Sequence, residues 1–278
     1  MYKNIMVNIP TERSPRPVID GAISVAARCQ AQLDAVAVGY ESSSMPMVAE
    51  GGAAVAAIFE IEREKAVERA NAALAIFEAE AKRAGLTHAT RAVGALPGEA
   101  SAIVGTTARL YDLVVVPQPE FERDTFDNKL AEEILAQSGA PVLFIPYTFK
   151  GAFQGRRVGI CWDGSRVAGR ALRDAMPLLA QAEAITIITI NEAGHVPADA
   201  SATHVTRYLA RLGVPTKTAR LTTEKANIQS SILSLAADES LDLLVMGGYG
   251  HSRLKETMFG GVTREMLESM TVPTLMSH

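Results

Sequence analysis

The chain has 278 residues, with 27 basic against 31 acidic side chains, a formal net charge of −4, and 48% apolar residues. That balance suits a chain that buries a core, and it gives no global reason to seek nucleic acid or an anionic membrane as partner. Two cysteines, five scattered histidines and 5% aromatics exclude a disulfide scaffold, a Cys-built zinc site and a stacking platform for single-stranded nucleic acid. The start, Met1-Tyr2-Lys3-Asn4-Ile5, lacks the apolar stretch of a signal peptide, and no apolar run approaches the roughly 18 to 20 residues of a membrane span. A cytoplasmic location is therefore expected.

In chain order, residues 5–10 form the first strand-like run. An Ala-rich stretch, 18–33, has helical spacing and leads into a second strand over 33–38. Residues 41–59, with Ser42-Ser43-Ser44-Met45-Pro46 and Gly51-Gly52, read as a loop or a frayed helix start. Ala66, Ala70, Ala73, Phe77 and Ala81 then recur at helical spacing before Gly85, which can close the helix in the left-handed conformation. Residues 112–116 are a continuous apolar strand. Pro117-Gln118-Pro119-Glu120, a helix holding residues 130–135, and a last strand after Pro141 complete the half.

The pattern then repeats. Residues 158–163 open a second half, followed by a helix over 167–182, a β-branched run over 185–190, and Val205, Leu209 and Leu212 before Gly213. Asp242-Leu243-Leu244-Val245-Met246 matches Asp112-Leu113-Val114-Val115-Val116, and the helix and strand after it match as well. Apolar strands alternating with helices mean parallel strands covered on both faces, hence an α/β chain of two tandem doubly wound five-stranded sheets. The join falls near residues 149–155, which divides the chain into domains 1–150 and 151–278. A single ten-stranded sheet is the alternative, although two cores are more usual for this length.

The chemistry concentrates after the strand ending at Met246. Gly247 and Gly250 let the main chain turn sharply and approach a ligand. Gly260-Gly261-Val262-Thr263 places backbone amides at a helix N-terminus, where the dipole favours an anion, and Thr263 can cap that helix or contact a phosphate. Arg253, Lys255 and His251 outweigh Glu256 in the same segment, a local charge that suits a polyphosphate.

Gly-x-x-Gly, nine residues, then Gly and a small residue before a helix resembles the nucleotide loop of the universal stress protein family. With Asp163 at a strand end and the repeat in both halves, the chain resembles a tandem universal stress protein. The resemblance implies strand order 3-2-1-4-5 in each half and ATP or AMP bound at the switch point between the first and fourth strands. It implies Asp163 on the sugar or base and Cys161 and Met246 as apolar walls for the base. Gly247, Gly250, Gly260, Gly261, Val262 and Thr263 then surround the phosphates. Mg2+ is expected only with ATP. The family pattern usually has Ser or Thr where this chain has Gly261, which removes one hydroxyl contact of roughly 0.5 to 1.5 kcal/mol.

The first half lacks these features: no carboxylate stands at the Asp163 position, and Pro117 and Pro119 replace glycines and remove donors. Glu120, Glu122, Asp124 and Asp127 would repel phosphate, so nucleotide is not expected there. Trp162 either stacks on a base or covers a sheet face, Cys161 is expected to be buried and inert, and Asp163-Gly164-Ser165 lacks a nucleophile elbow. No catalytic group, metal set or P-loop lysine is found, so the expected role is nucleotide sensing in stress response with little turnover beyond slow ATP hydrolysis. The other reading is a nucleotide-free assembly protein. Family members pair through their last strands, here 141–146 and 273–277, which predicts pairing of the two halves or a homodimer.

Overall fold

The structure, a computed structural model, describes residues 1–41, 52–192, 196–248 and 261–278, with backbone alone for 52–55. Its strands are β1 (Asn4–Ile9), β2 (Gln32–Tyr40), β3 (His88–Ala95), β4 (Leu113–Pro117), β5 (Val142–Ile145), β6 (Arg157–Cys161), β7 (Ala184–Ile190), β8 (Thr216–Leu221), β9 (Leu243–Gly247) and β10 (Thr274–Ser277). They lie in the order β3-β2-β1-β4-β5-β10-β9-β6-β7-β8. Each half has the order 3-2-1-4-5 with parallel pairs throughout.

The two expected sheets are joined into one of ten strands. β5 and β10 pair antiparallel, Phe144 facing Thr274 and Val142 facing Met276, so the last strands of the two halves meet within the chain. The apolar faces merge as a result. One cluster runs through Ile5, Val7, Leu113, Val115, Leu143, Val158, Ile160, Val245 and Leu275 from both halves. The residues between them, among them Met6, Val114, Val116, Phe144, Leu244, Met246 and Met276, build the other. This is the two-residue alternation of strands covered on both sides. Separate cores, the more usual outcome at this length, give way because the sheet does not stop at the join.

Helices α1 (Arg16–Cys29), α2 (Gly52–Arg83), α5 (Arg166–Asp174), α6 (Met176–Leu179) and α7 (Ala202–Leu209) accompany the first cluster. Helices α3 (Pro97–Ala108), α4 (Phe126–Gln137), α8 (Ile228–Asp238) and α9 (Val262–Ser269) cover the second. Gly85 and Gly213 take φ of +67° and +70° after helical stretches, as their positions imply. Two local expectations change. The helix expected over 167–182 breaks at Ala175, where Pro177 removes an amide and opens the short α6. The segment read as a loop or frayed start is helical from Gly52 onward, continuous with α2 through Arg83. The rest of that segment, 42–51, lies outside the described residues.

Partly buried hydrogen bonds tie the halves together beyond the strand pair. Tyr2 donates its hydroxyl across to Asp174 O at 2.6 Å, and within the C-terminal half Ser277 Oγ donates to the Asp174 carboxylate at 2.8 Å. The Phe153 amide donates to Ser24 Oγ at 2.8 Å, and Arg28 donates to Gln181 O at 2.7 Å.

Candidate functional site

In the C-terminal half, β6 and β9 are neighbours, in register from Val158–Leu243 to Ile160–Val245. One step further along lie Cys161 and Met246, both packed into the cluster beneath α8 and α9. Met246 is buried and Cys161 half-buried. Burial, and then the nearby Asp163, push the Cys161 thiol up to about 12, so it stays protonated and poorly nucleophilic at neutral pH. The pair thus supplies a small apolar wall at the C-terminal sheet edge.

Asp163 stands exposed just beyond β6. Its Oδ1 accepts the Ser165 amide at 2.9 Å, which closes a tight turn with Gly164 at φ +74°. Ser165 caps α5, its hydroxyl accepting the Ala168 amide at 3.2 Å, so it is a helix cap rather than a nucleophile. Trp162 points to the opposite face from Cys161. It packs on the cluster beneath α5 and α7 and donates its indole N–H to Ala200 O at 2.6 Å. The tryptophan covers the sheet and does not face the Cys161–Met246 wall.

Gly247 has a packing reason for being glycine. A methyl there would come within 2.6 Å of Val167 Cγ2 and 2.8 Å of the Ala168 amide, so the end of β9 lies directly against the start of α5. Gly261 is the N-cap of α9, in extended conformation, and its carbonyl accepts the amides of Arg264 at 2.9 Å and Glu265 at 3.1 Å. The helix therefore starts at Val262, and Thr263, buried in its first turn, does not occupy the cap position. The cap residue brings no side chain of its own to the first-turn amides. Gly250 and Gly260 lie outside the described residues, as do His251, Arg253 and Lys255. Among the described residues, then, Asp163, Cys161, Met246, Gly247 and the start of α9 belong to one end of the β6–β9 pair.

The N-terminal half fills the corresponding place with its own side chains. Glu12, just after β1, accepts the amides of Phe126 at 2.7 Å and Asp127 at 3.2 Å, so a carboxylate sits on the N-terminus of α4. Asp127 is buried and accepts the amides of Thr11 at 3.0 Å and Glu12 at 2.9 Å and the Tyr40 hydroxyl at 3.1 Å. Burial is the main cause that pushes its carboxyl up to about 6, against the opposing pull of those bonds and of Arg13. The Arg13 side chain is 2% exposed, lies 3.5 Å from Glu120, and donates to the Gln118 carbonyl. Its own affinity for a proton is lowered by burial. Glu12 and Arg13 are the residues that sequence reasoning missed. Their signal is weak: two charges directly after a strand expected to end at a degenerate site.

Among the described residues no group of three or more His, Cys, Asp or Glu is placed to hold a metal, and no helix is long and apolar enough to cross a membrane.

Residues 155–278 match the model of the universal stress protein family. The C-terminal half is a universal stress protein domain. A universal stress protein of Synechocystis sp. is 26% identical over 153 residues, which cover 52% of this chain and 49% of that relative. The matched region thus spans about half the length of that relative. A universal stress protein from Archaeoglobus fulgidus has a similar structure over 98% of this chain and 97% of its own, with a TM-score of 0.72 at 15% identity. That likeness extends the fold of the universal stress protein domain to the N-terminal half. A universal stress protein solved in complex with cAMP is similar over 44% of this chain and 97% of its own, at 21% identity and a TM-score of 0.36.

Proposed function

We propose that the C-terminal universal stress protein domain binds an adenine nucleotide, ATP or AMP, at the end of the β6–β9 pair. In this reading the chain senses or reports nucleotide during stress and turns little of it over. The observation that carries it is the contrast between the halves. The N-terminal half covers the start of α4 with Glu12, whereas α9 starts on a glycine that contributes no side chain. Asp163 is exposed just beyond β6, with hydrogen-bonding capacity for a ribose hydroxyl or an adenine amine. Cys161 and Met246 would lie against the base. Gly260, Gly261, Val262 and Thr263 would donate amides to the phosphates, and Gly247 and Gly250 would shape the turn. Mg2+ would enter only with a triphosphate. The protonated Cys161 thiol is no nucleophile and the Ser165 hydroxyl is engaged as a cap, which fits a binding role. We place the chain in the cytoplasm and divide it as 1–150 and 151–278.

The test starts with denaturing purified protein and searching the supernatant for adenine nucleotide by mass spectrometry. Titration calorimetry with ATP and AMP follows, on wild type and Asp163→Ala. Binding that weakens about tenfold or more in the variant is expected, the range for a lost hydrogen bond to a polar ligand. Absence of any binding at about millimolar nucleotide in the wild type overturns the reading.

A further inference from the structure

We infer that Gln118 of the N-terminal half is a positioning residue for the phosphate end of the C-terminal site, acting through helix α9; this rests on the nucleotide reading above. Position 118 directly follows β4 as position 248 directly follows β9, and their backbones are partnered alike. The Gln118 amide donates to Ile145 O at 2.8 Å, and the Gly248 amide donates to Ser277 O at 2.9 Å. At the side chain the equivalence ends. Gly248 offers none, and a methyl there would come within 3.0 Å of Leu135 on α4. Gln118 instead reaches across the junction, 1% exposed, and its Nε2 donates to Leu267 O at 2.9 Å and Glu268 O at 3.3 Å. Its Oε1 accepts the Tyr147 amide at 3.3 Å, so the amide group is fixed from both sides.

The two carbonyls gripped belong to the last turn of α9, where helical carbonyls have no partner within the helix. The helix is only eight residues long and carries no basic residue in its last turn. A hold on one end of so short a rod sets where the amides at its other end point. Arg264, on the same helix, lies over the Phe121 ring with its guanidinium carbon 5.5 Å from the centroid, a second link to the N-terminal half. Behind Gln118, its main-chain carbonyl accepts Arg13, whose guanidinium faces Glu120. The N-terminal half therefore holds α9 through a side chain, and position 248 makes no such return to α4. The consequence is directional: the glutamine couples the self-filled half to the half with the candidate site.

Gln118→Met keeps the length of the side chain and removes its amide. Hydrogen–deuterium exchange of residues 262–270 in the nucleotide-free full chain should quicken about tenfold while exchange in β6 and β7 stays unchanged, and ATP affinity should fall about three- to tenfold. Gln118→Glu, which sets a carboxylate against two carbonyls, should lose at least as much. If Gln118→Met does not fold, Gln118→Asn is read in the same way. Unchanged exchange in α9 overturns the inference, as does quickening spread evenly over the chain, or local quickening with ATP affinity unmoved. A wild type that binds no nucleotide removes the phosphate role together with the nucleotide reading, and the exchange measurement alone then decides whether Gln118 holds α9.

Discussion

Replacing Asp127 by asparagine should remove a stabilising contribution that grows as the pH falls. The carboxyl is buried in the N-terminal half, its folded value about 6 against an ordinary 3.8, with burial as the leading cause. Because the folded state binds this proton more tightly than the unfolded chain does, the stabilising contribution is fully present below the unfolded value. It is lost as pH rises through the folded one. Between about pH 7.5 and about pH 4.5, linkage for those two values yields about 2 kcal/mol in favour of the folded wild type at the lower pH. The amide that replaces the carboxyl does not titrate, while carboxylates other than the coupled Glu12 are common to both proteins and cancel in the difference. The assay is urea unfolding of wild type and Asp127→Asn at the two pH values, each with its own fitted slope. The wild type should gain about 2 kcal/mol on the variant upon acidification. A difference that stays flat, or that moves against the wild type, refutes the assignment of burial as the dominant influence on Asp127.

Three further outcomes are expected. Glu12→Gln should lower stability by about 0.5 to 1 kcal/mol through the lost charge at the start of α4, seen as a lower urea midpoint. It should also lower the titration of Asp127, because the Glu12 charge raises it. Gly39→Ala places a methyl inside the Ala66 carbonyl of α2 and should cost about 3 kcal/mol or more, read as a fall in Tm or as insoluble expression. Cys29 is buried and Cys161 holds its proton at neutral pH. Iodoacetamide at about pH 8 should therefore alkylate neither thiol in the folded protein at a rate approaching that of the urea-unfolded chain.

The architecture was legible because the repeat is written in apolar runs. Asp112 to Val116 and Asp242 to Met246 are near copies, and both became fourth strands of a 3-2-1-4-5 order. The merging of two sheets into one was only an alternative, since strand pairing at the edge depends on Val142 and Met276 meeting in space and neither residue advertises its partner. The break at Ala175 was visible in Pro177, but the apolar spacing on either side masked it. Of the candidate site, the start of α9 follows from a helix-start pattern, whereas the wall of Cys161 and Met246 comes only with the family resemblance. Gly247 shows the limit: glycine for close packing on Val167 and glycine for a ligand look identical in a sequence. Glu12 was illegible for a different reason. Its role comes from distance to amides more than a hundred positions away, and loop charges carry no periodicity.

The antiparallel meeting of β5 and β10 occurs inside a single polypeptide. An assembly of two identical subunits is bound to change both members whenever its gene changes. A pair within one chain escapes that bond: one half carries Glu12 and Arg13, the other Gly261 and Asp163, and neither set recurs in its twin. Covalent linkage thereby allows a division of labour that rotational symmetry forbids.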